Sequence, residues 1–161
     1  MYGLACFSGR HSLADGLVGS PDDRTMYWTD SPTRSIFAFD YEPVAGTISN
    51  RRTFFKLADD SNSVVDGFTI DADGHLWAAI HEGGCVLRIS PEGKVVARVK
   101  VPAWRVTCPC FGGPDLDWLY ITSAGIDDPS EAPEGTKYHG SLFRIKTNVR
   151  GARTNLFGPF G

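Results

Sequence analysis

The chain has 161 residues, 42% hydrophobic and 22% charged, with a formal net charge of −3; this balance suits one folded domain and excludes disorder along its whole length. Its 16 lysines and arginines are scattered rather than clustered, which excludes a basic face for nucleic acid. No apolar run approaches the roughly 20 residues that span a bilayer, so no membrane partner is expected.

The N-terminus, Met1 to Gly16, places Arg10 and His11 after its few apolar residues and lacks the basic-then-apolar order of a secretory leader, which predicts a cytoplasmic location. From there a unit recurs three times, with a period of roughly 40 to 50 residues. The first copy predicts strands at Asp15–Gly19, Met26–Asp30, Ser35–Asp40 and Arg51–Phe55. The second predicts them at Asp66–Ile70, Leu76–Ile80, Cys85–Ile89 and Val95–Val99. The third is looser, with Thr107–Phe111, Leu119–Ser123, Ser141–Ile145 and a vestige at Thr154–Phe157.

These segments are rich in β-branched and aromatic residues and are bounded by turn signals such as Ser20-Pro21-Asp22-Asp23, Asp71-Ala72-Asp73-Gly74 and Ser90-Pro91-Glu92-Gly93. None sustains helical spacing, so the fold class is all-β. Up to four antiparallel strands per repeat is the unit of a β-propeller blade. The expected blades span 13–58, 64–101 and 105–157 within a single region, 1–161. Three blades do not close a ring, so the propeller is incomplete and copies of the chain could associate to complete it. Tyr27, Trp77 and Tyr120 hold the same second-strand place in each copy and are expected in the core, with sugar stacking as the lesser reading.

Two polar residues recur where the innermost strand of a blade should line the channel. Asp15 and Asp66 each precede the Gly of that strand, and Thr107 holds the third place. Two carboxylates facing one cavity raise each other's proton affinity unless a cation neutralises them, and oxygen ligands suit calcium, magnesium or manganese, with zinc also accepting carboxylate. The competing reading is that Asp-Gly marks a turn in which Asp caps its own backbone. His81-Glu82 is expected as a solvated strand end, Arg51 and Arg52 as an outer polar face, and 126–140 as a long exposed loop. Cys6, Cys85, Cys108 and Cys110 are expected as reduced, mostly buried thiols, with Cys108 and Cys110 packed in the core.

The ordered series Ala14-Asp15-Gly16-Leu17, Ser20-Pro21-Asp22, Asp30-Ser31, Phe39-Asp40-Tyr41, Asp66-Gly67, Asp71-Ala72-Asp73-Gly74, Leu76-Trp77-Ala78-Ala79, Phe111-Gly112-Gly113 and Leu119-Tyr120-Ile121-Thr122-Ser123 resembles the SMP-30/gluconolactonase/LRE-like (regucalcin-like) family. The resemblance runs from Leu13 to Ile145 and implies the C-terminal half of a six-bladed propeller, truncated at its N-terminus. It implies a divalent-metal-dependent lactonase acting on a small-molecule sugar lactone. One cation, most readily calcium or zinc, is implied to sit on Asp66, which doubles as general base, and on Asp15, which stands where the family has Asn. Asp for Asn keeps an oxygen ligand and adds negative charge, which tightens a cation and weakens it as a Lewis acid. The alternative function is a non-catalytic calcium-binding or interaction fragment. A WD40-like interaction propeller fits less well, because the Gly-His and Trp-Asp signatures are missing.

Overall fold

Eleven strands and no α-helix form among the described residues, 13–58 and 62–153, of the computed structural model. They are β1 (Ala14–Gly19), β2 (Thr25–Asp30), β3 (Ser35–Glu42), β4 (Thr47–Lys56), β5 (Val64–Ile70), β6 (Leu76–His81), β7 (Cys85–Ile89), β8 (Val95–Lys100), β9 (Val106–Gly112), β10 (Trp118–Ser123) and β11 (Leu142–Lys146). Each sheet is an antiparallel meander, ordered β1-β2-β3-β4, β5-β6-β7-β8 and β9-β10-β11. The vestigial strand expected at Thr154–Phe157 lies outside the described residues.

The first hairpin of each four-stranded sheet and the last hairpin of the middle sheet, between β7 and β8, turn alike. Ser20 N–H donates to Thr25 O at 2.8 Å, Asp71 N–H to His75 O at 2.9 Å and Ser90 N–H to Lys94 O at 2.8 Å. Tight reversals of this kind need one residue at positive φ. Gly74 (φ 81°) and Gly93 (φ 77°) supply it, and Asp23 (φ 56°), a residue tolerant of that region, supplies it in the first sheet.

The core lies in two seams, one on each face of the middle sheet. Successive side chains of a strand point to opposite faces, and β6 divides accordingly. Leu76, Ala78 and Ile80 join Tyr27, Ile36, Val65 and Leu87 between the first and second sheets. Trp77 and Ala79 join Val86, Val106, Leu119 and Ile121 between the second and third. A fully buried side chain of this size contributes about 1.5–3 kcal/mol, so the apolar run Leu-Trp-Ala-Ala-Ile is what a sheet covered on both sides requires.

The aromatic positions follow this layering in part. Tyr27 and Trp77 are buried as expected, whereas Tyr120 is half-buried. Tyr120 pairs with Cys110 across β9–β10, on the side of the third sheet away from the second. The expectation for the thiols is corrected too: Cys85 is buried, but Cys108 and Cys110 are exposed, and Cys6 lies outside the described residues.

Beyond β11, residues 147–153 run back across the ends of the sheets. Thr147 N–H donates to Asp117 O and Gly151 N–H to Leu116 O, both at 2.8 Å, tying this strap to the third sheet. Ala72 N–H donates to Arg150 O at 2.8 Å and Ala152 N–H to Ile70 O at 3.1 Å, tying it to the second. Ala152 and Arg153 then line a crevice with Val18–Pro21 of the first. The 126–140 segment is a largely exposed loop with a short 3-10 turn at Pro129–Glu131; it is anchored by Lys137 and Tyr138 N–H groups, both donating to Pro102 O.

Candidate metal and active site on the inner strands

β1, β5 and β9 lie side by side as the first strand of each sheet, β1 against β5 and β5 against β9. Each carries a β-bulge at the same place. The β1–β2 register jumps from Ala14↔Asp30 to Leu17↔Trp28, and the β5–β6 register from Val65↔Ile80 to Phe68↔Ala78. In β9 the pairs Val106↔Ser123 and Cys108↔Thr122 leave Thr107 as the extra residue. Asp15, Asp66 and Thr107 are therefore bulge residues of three equivalent strands, and a bulge re-aims the side chain it carries. The turn reading of the two Asp-Gly pairs is corrected, since both pairs lie within strands, although its backbone cap is present at Asp66, whose carboxylate accepts from Gly67 N–H.

The glycines of those pairs serve close approach. A Cβ on Gly16 would sit 2.3 Å from Phe68 Cε1, and one on Gly67 would sit 2.9 Å from the Thr107 carbonyl oxygen and 2.8 Å from Cys108 Sγ. Each glycine thus lets the next inner strand pack against it.

Asp15 is exposed and Asp66 half-buried. Asp15 Oδ2 accepts a hydrogen bond from the Ser31 hydroxyl, and Asp66 Oδ1 accepts from Gly67 N–H at 2.8 Å. Burial and then the negative charge of Asp15 push the Asp66 carboxyl above the usual carboxylate range; the Gly67 N–H and His81, at the end of β6, pull the other way. The field of Asp66 also reaches Cys108, whose thiol, exposed but partly desolvated where it meets Gly67, is pushed up chiefly by that desolvation and then by Cys110 and Asp66. Thr107 Oγ1 lies 2.7 Å from Thr122 Oγ1.

Tested against a divalent cation, this donor set fits in kind and is short in number. Asp15 and Asp66 offer oxygen atoms from two carboxylates whose mutual repulsion a cation would relieve. Among the described residues, no three His, Cys, Asp or Glu side chains come together as a metal-holding group.

Glu82 is not a solvated strand end. It takes φ 59°, its carboxylate lies 3.4 Å from Arg105 Nη2, and its carbonyl accepts from Ser63 Oγ at 3.1 Å and Trp104 Nε1 at 3.0 Å. Arg52 pairs with Asp40 at 2.7 Å on the exposed outer strand, and Arg51 lies over the Phe37 ring, 4.0 Å from its centroid.

Two further polar residues hold the sheets together and were not singled out in the sequence as candidates for the site. Asp71 is fully buried and accepts from Trp77 Nε1 at 3.0 Å, Arg88 Nε at 2.9 Å, Arg88 Nη2 at 2.7 Å, His75 N–H at 2.9 Å and Asp73 N–H at 3.1 Å. The Asp-x-Asp-Gly turn signal locates it but not its Arg and Trp partners, which come from other strands. Ser31 is the second, signalled only by the Asp30-Ser31 step of the family series and its place directly after β2.

The family description SMP-30/Gluconolactonase/LRE-like region matches residues 7–125. The chain belongs to the SMP-30/gluconolactonase/LRE-like family. It is 45% identical to regucalcin of Danio rerio over 134 residues, covering 83% of this chain and 45% of that protein. It is 35% identical to the pentonolactonase XacC of Haloferax volcanii over 143 residues, covering 86% and 49%. Among solved structures, the calcium-binding protein regucalcin of Agrobacterium tumefaciens superposes with a TM-score of 0.79 at 30% identity, covering 88% and 48%. A β-propeller domain from Myceliophteria thermophila, 12% identical with a TM-score of 0.54, shares the fold alone and covers 82% of this chain and 40% of that one. The three meanders are thus a partial propeller of this family, and the chain spans about half the length of the relatives it matches.

Proposed function

We propose that the inner-strand carboxylates form part of a lactone-hydrolysing site in which Asp15 and Asp66 hold one divalent cation and Asp66 accepts the proton. The observation that carries this reading is the recurrence of Asp on equivalent bulges of neighbouring inner strands, close enough that the charge of Asp15 raises the Asp66 carboxyl. A cation bound there would polarise a lactone carbonyl or activate water, and the oxygen-only pair favours calcium over zinc. The family relationship to a pentonolactonase supports a sugar lactone as the substrate class.

Hydrolysis of glucono-lactone by the purified chain with calcium or manganese tests the reading. Asp66→Ala is expected to lower kcat by about 10²-fold or more while retaining a cooperative thermal transition; turnover unchanged in that variant refutes the assignment. A second reading, cation binding without turnover, is favoured by the two-ligand donor set. It predicts a thermal shift with calcium and no lactone opening.

A further inference from the structure

We infer that Ser31 is a positioning residue for this site: its buried hydroxyl, lodged between the Asp15 carboxylate and the Val65 carbonyl, fixes the spacing between Asp15 and Asp66. The inference rests on the proposed role of those two carboxylates.

Ser31 opens the short 3-10 turn Ser31–Thr33 between β2 and β3 and is 3% exposed. Its backbone is held on both sides. Its N–H donates to Leu13 O at 3.1 Å and its carbonyl accepts from Arg34 N–H at 2.9 Å, with Arg34 at φ 58° closing the turn. Leu13 N–H in turn donates to Asp30 Oδ1 at 3.2 Å, so the start of β1 is fastened to the residues flanking Ser31. The side chain therefore has little freedom to move.

From this fixed point the hydroxyl reaches across the seam between the first and second sheets. It contacts Asp15 Oδ2 on β1 and lies 2.7 Å from the Val65 carbonyl on β5. Val65 immediately precedes Asp66, and the turn packs directly on β5. A serine hydroxyl has one proton and faces two acceptors here, so both compete for a single donor. The bond to Oδ2 sets the plane of the Asp15 carboxylate, and the contact at Val65 ties that plane to the strand carrying Asp66. Groups that orient a ligand carboxylate in this way affect metal affinity by about 10- to 100-fold.

A role limited to satisfying the buried Val65 carbonyl would cost stability and leave cation affinity unchanged. Calorimetric titration of calcium into the full chain separates the two roles, with a cooperative thermal transition required of each variant. Ser31→Ala is expected to weaken calcium binding about 10-fold or more, Ser31→Thr to restore most of it by keeping the hydroxyl, and Ser31→Ala to have no further effect in an Asp15→Ala background. Should Ser31→Ala fail to fold, Ser31→Cys, of similar size and a poor donor, is expected to show the same loss. Calcium affinity lost in Asp66→Ala but unchanged in Ser31→Ala or Ser31→Cys overturns the positioning role alone. A parent chain that binds no calcium overturns the site reading and this inference together.

Discussion

Burial and the charge of Asp15 both oppose ionisation of Asp66, so without a cation the folded chain holds that proton to higher pH than the unfolded chain does. The stability Asp66 contributes is complete below the ordinary carboxylate value of about 3.9 and is lost as pH rises through the higher folded-state value. Asp66→Asn, which cannot ionise, is expected to be more stable than the parent at pH 7 in chelator and to converge with it in acid, by thermal unfolding; a less stable Asn variant at pH 7 would contradict this. Asp15 and Asp66 were legible in the sequence because repetition marks them twice in one register. Asp71 and Ser31 were not, since their importance lies in partners such as Arg88, Trp77 and the Val65 carbonyl that only the fold brings near.

The strand carrying each carboxylate is shaped by the residue that follows it. Gly16 faces a movable ring, that of Phe68, whereas Gly67 faces the backbone carbonyl of Thr107. A methyl group at position 67 must therefore push two inner strands apart, at about 1–3 kcal/mol, while at position 16 the ring can rotate to absorb part of the strain. Denaturant unfolding is expected to rank Gly67→Ala as more destabilising than Gly16→Ala, and the reverse order would show that the β5–β9 contact is not the tight one. The Asp-Gly spacing was visible as a repeat, but its bulge was not, because a turn and a bulge favour the same two residues and only pairing register tells them apart.

At the scale of the molecule, the middle sheet is covered on both faces and the outer two on one face each by the seams described. This layering was legible from the apolar runs of β6 and β7, whereas the half-burial of Tyr120 depends on what lies against the outward side of the third sheet, which no single repeat encodes. Each meander is assembled from hairpins close in sequence, and such contacts form quickly. The strap is the exception: Ala152 reaches Ile70 across about 80 intervening positions, so its closure carries the chain-entropy cost of a long loop and belongs after the transition state. Gly151, where a Cβ would lie 2.3 Å from Phe111 Cβ, offers a way to loosen it. Gly151→Ala is expected to speed unfolding several-fold and to leave the refolding rate nearly unchanged, as read from the two arms of a chevron plot, whereas a slowed refolding arm would place the strap in the nucleus. The strap is thus expected to act as a kinetic latch, setting how long the three sheets stay together rather than how fast they find one another.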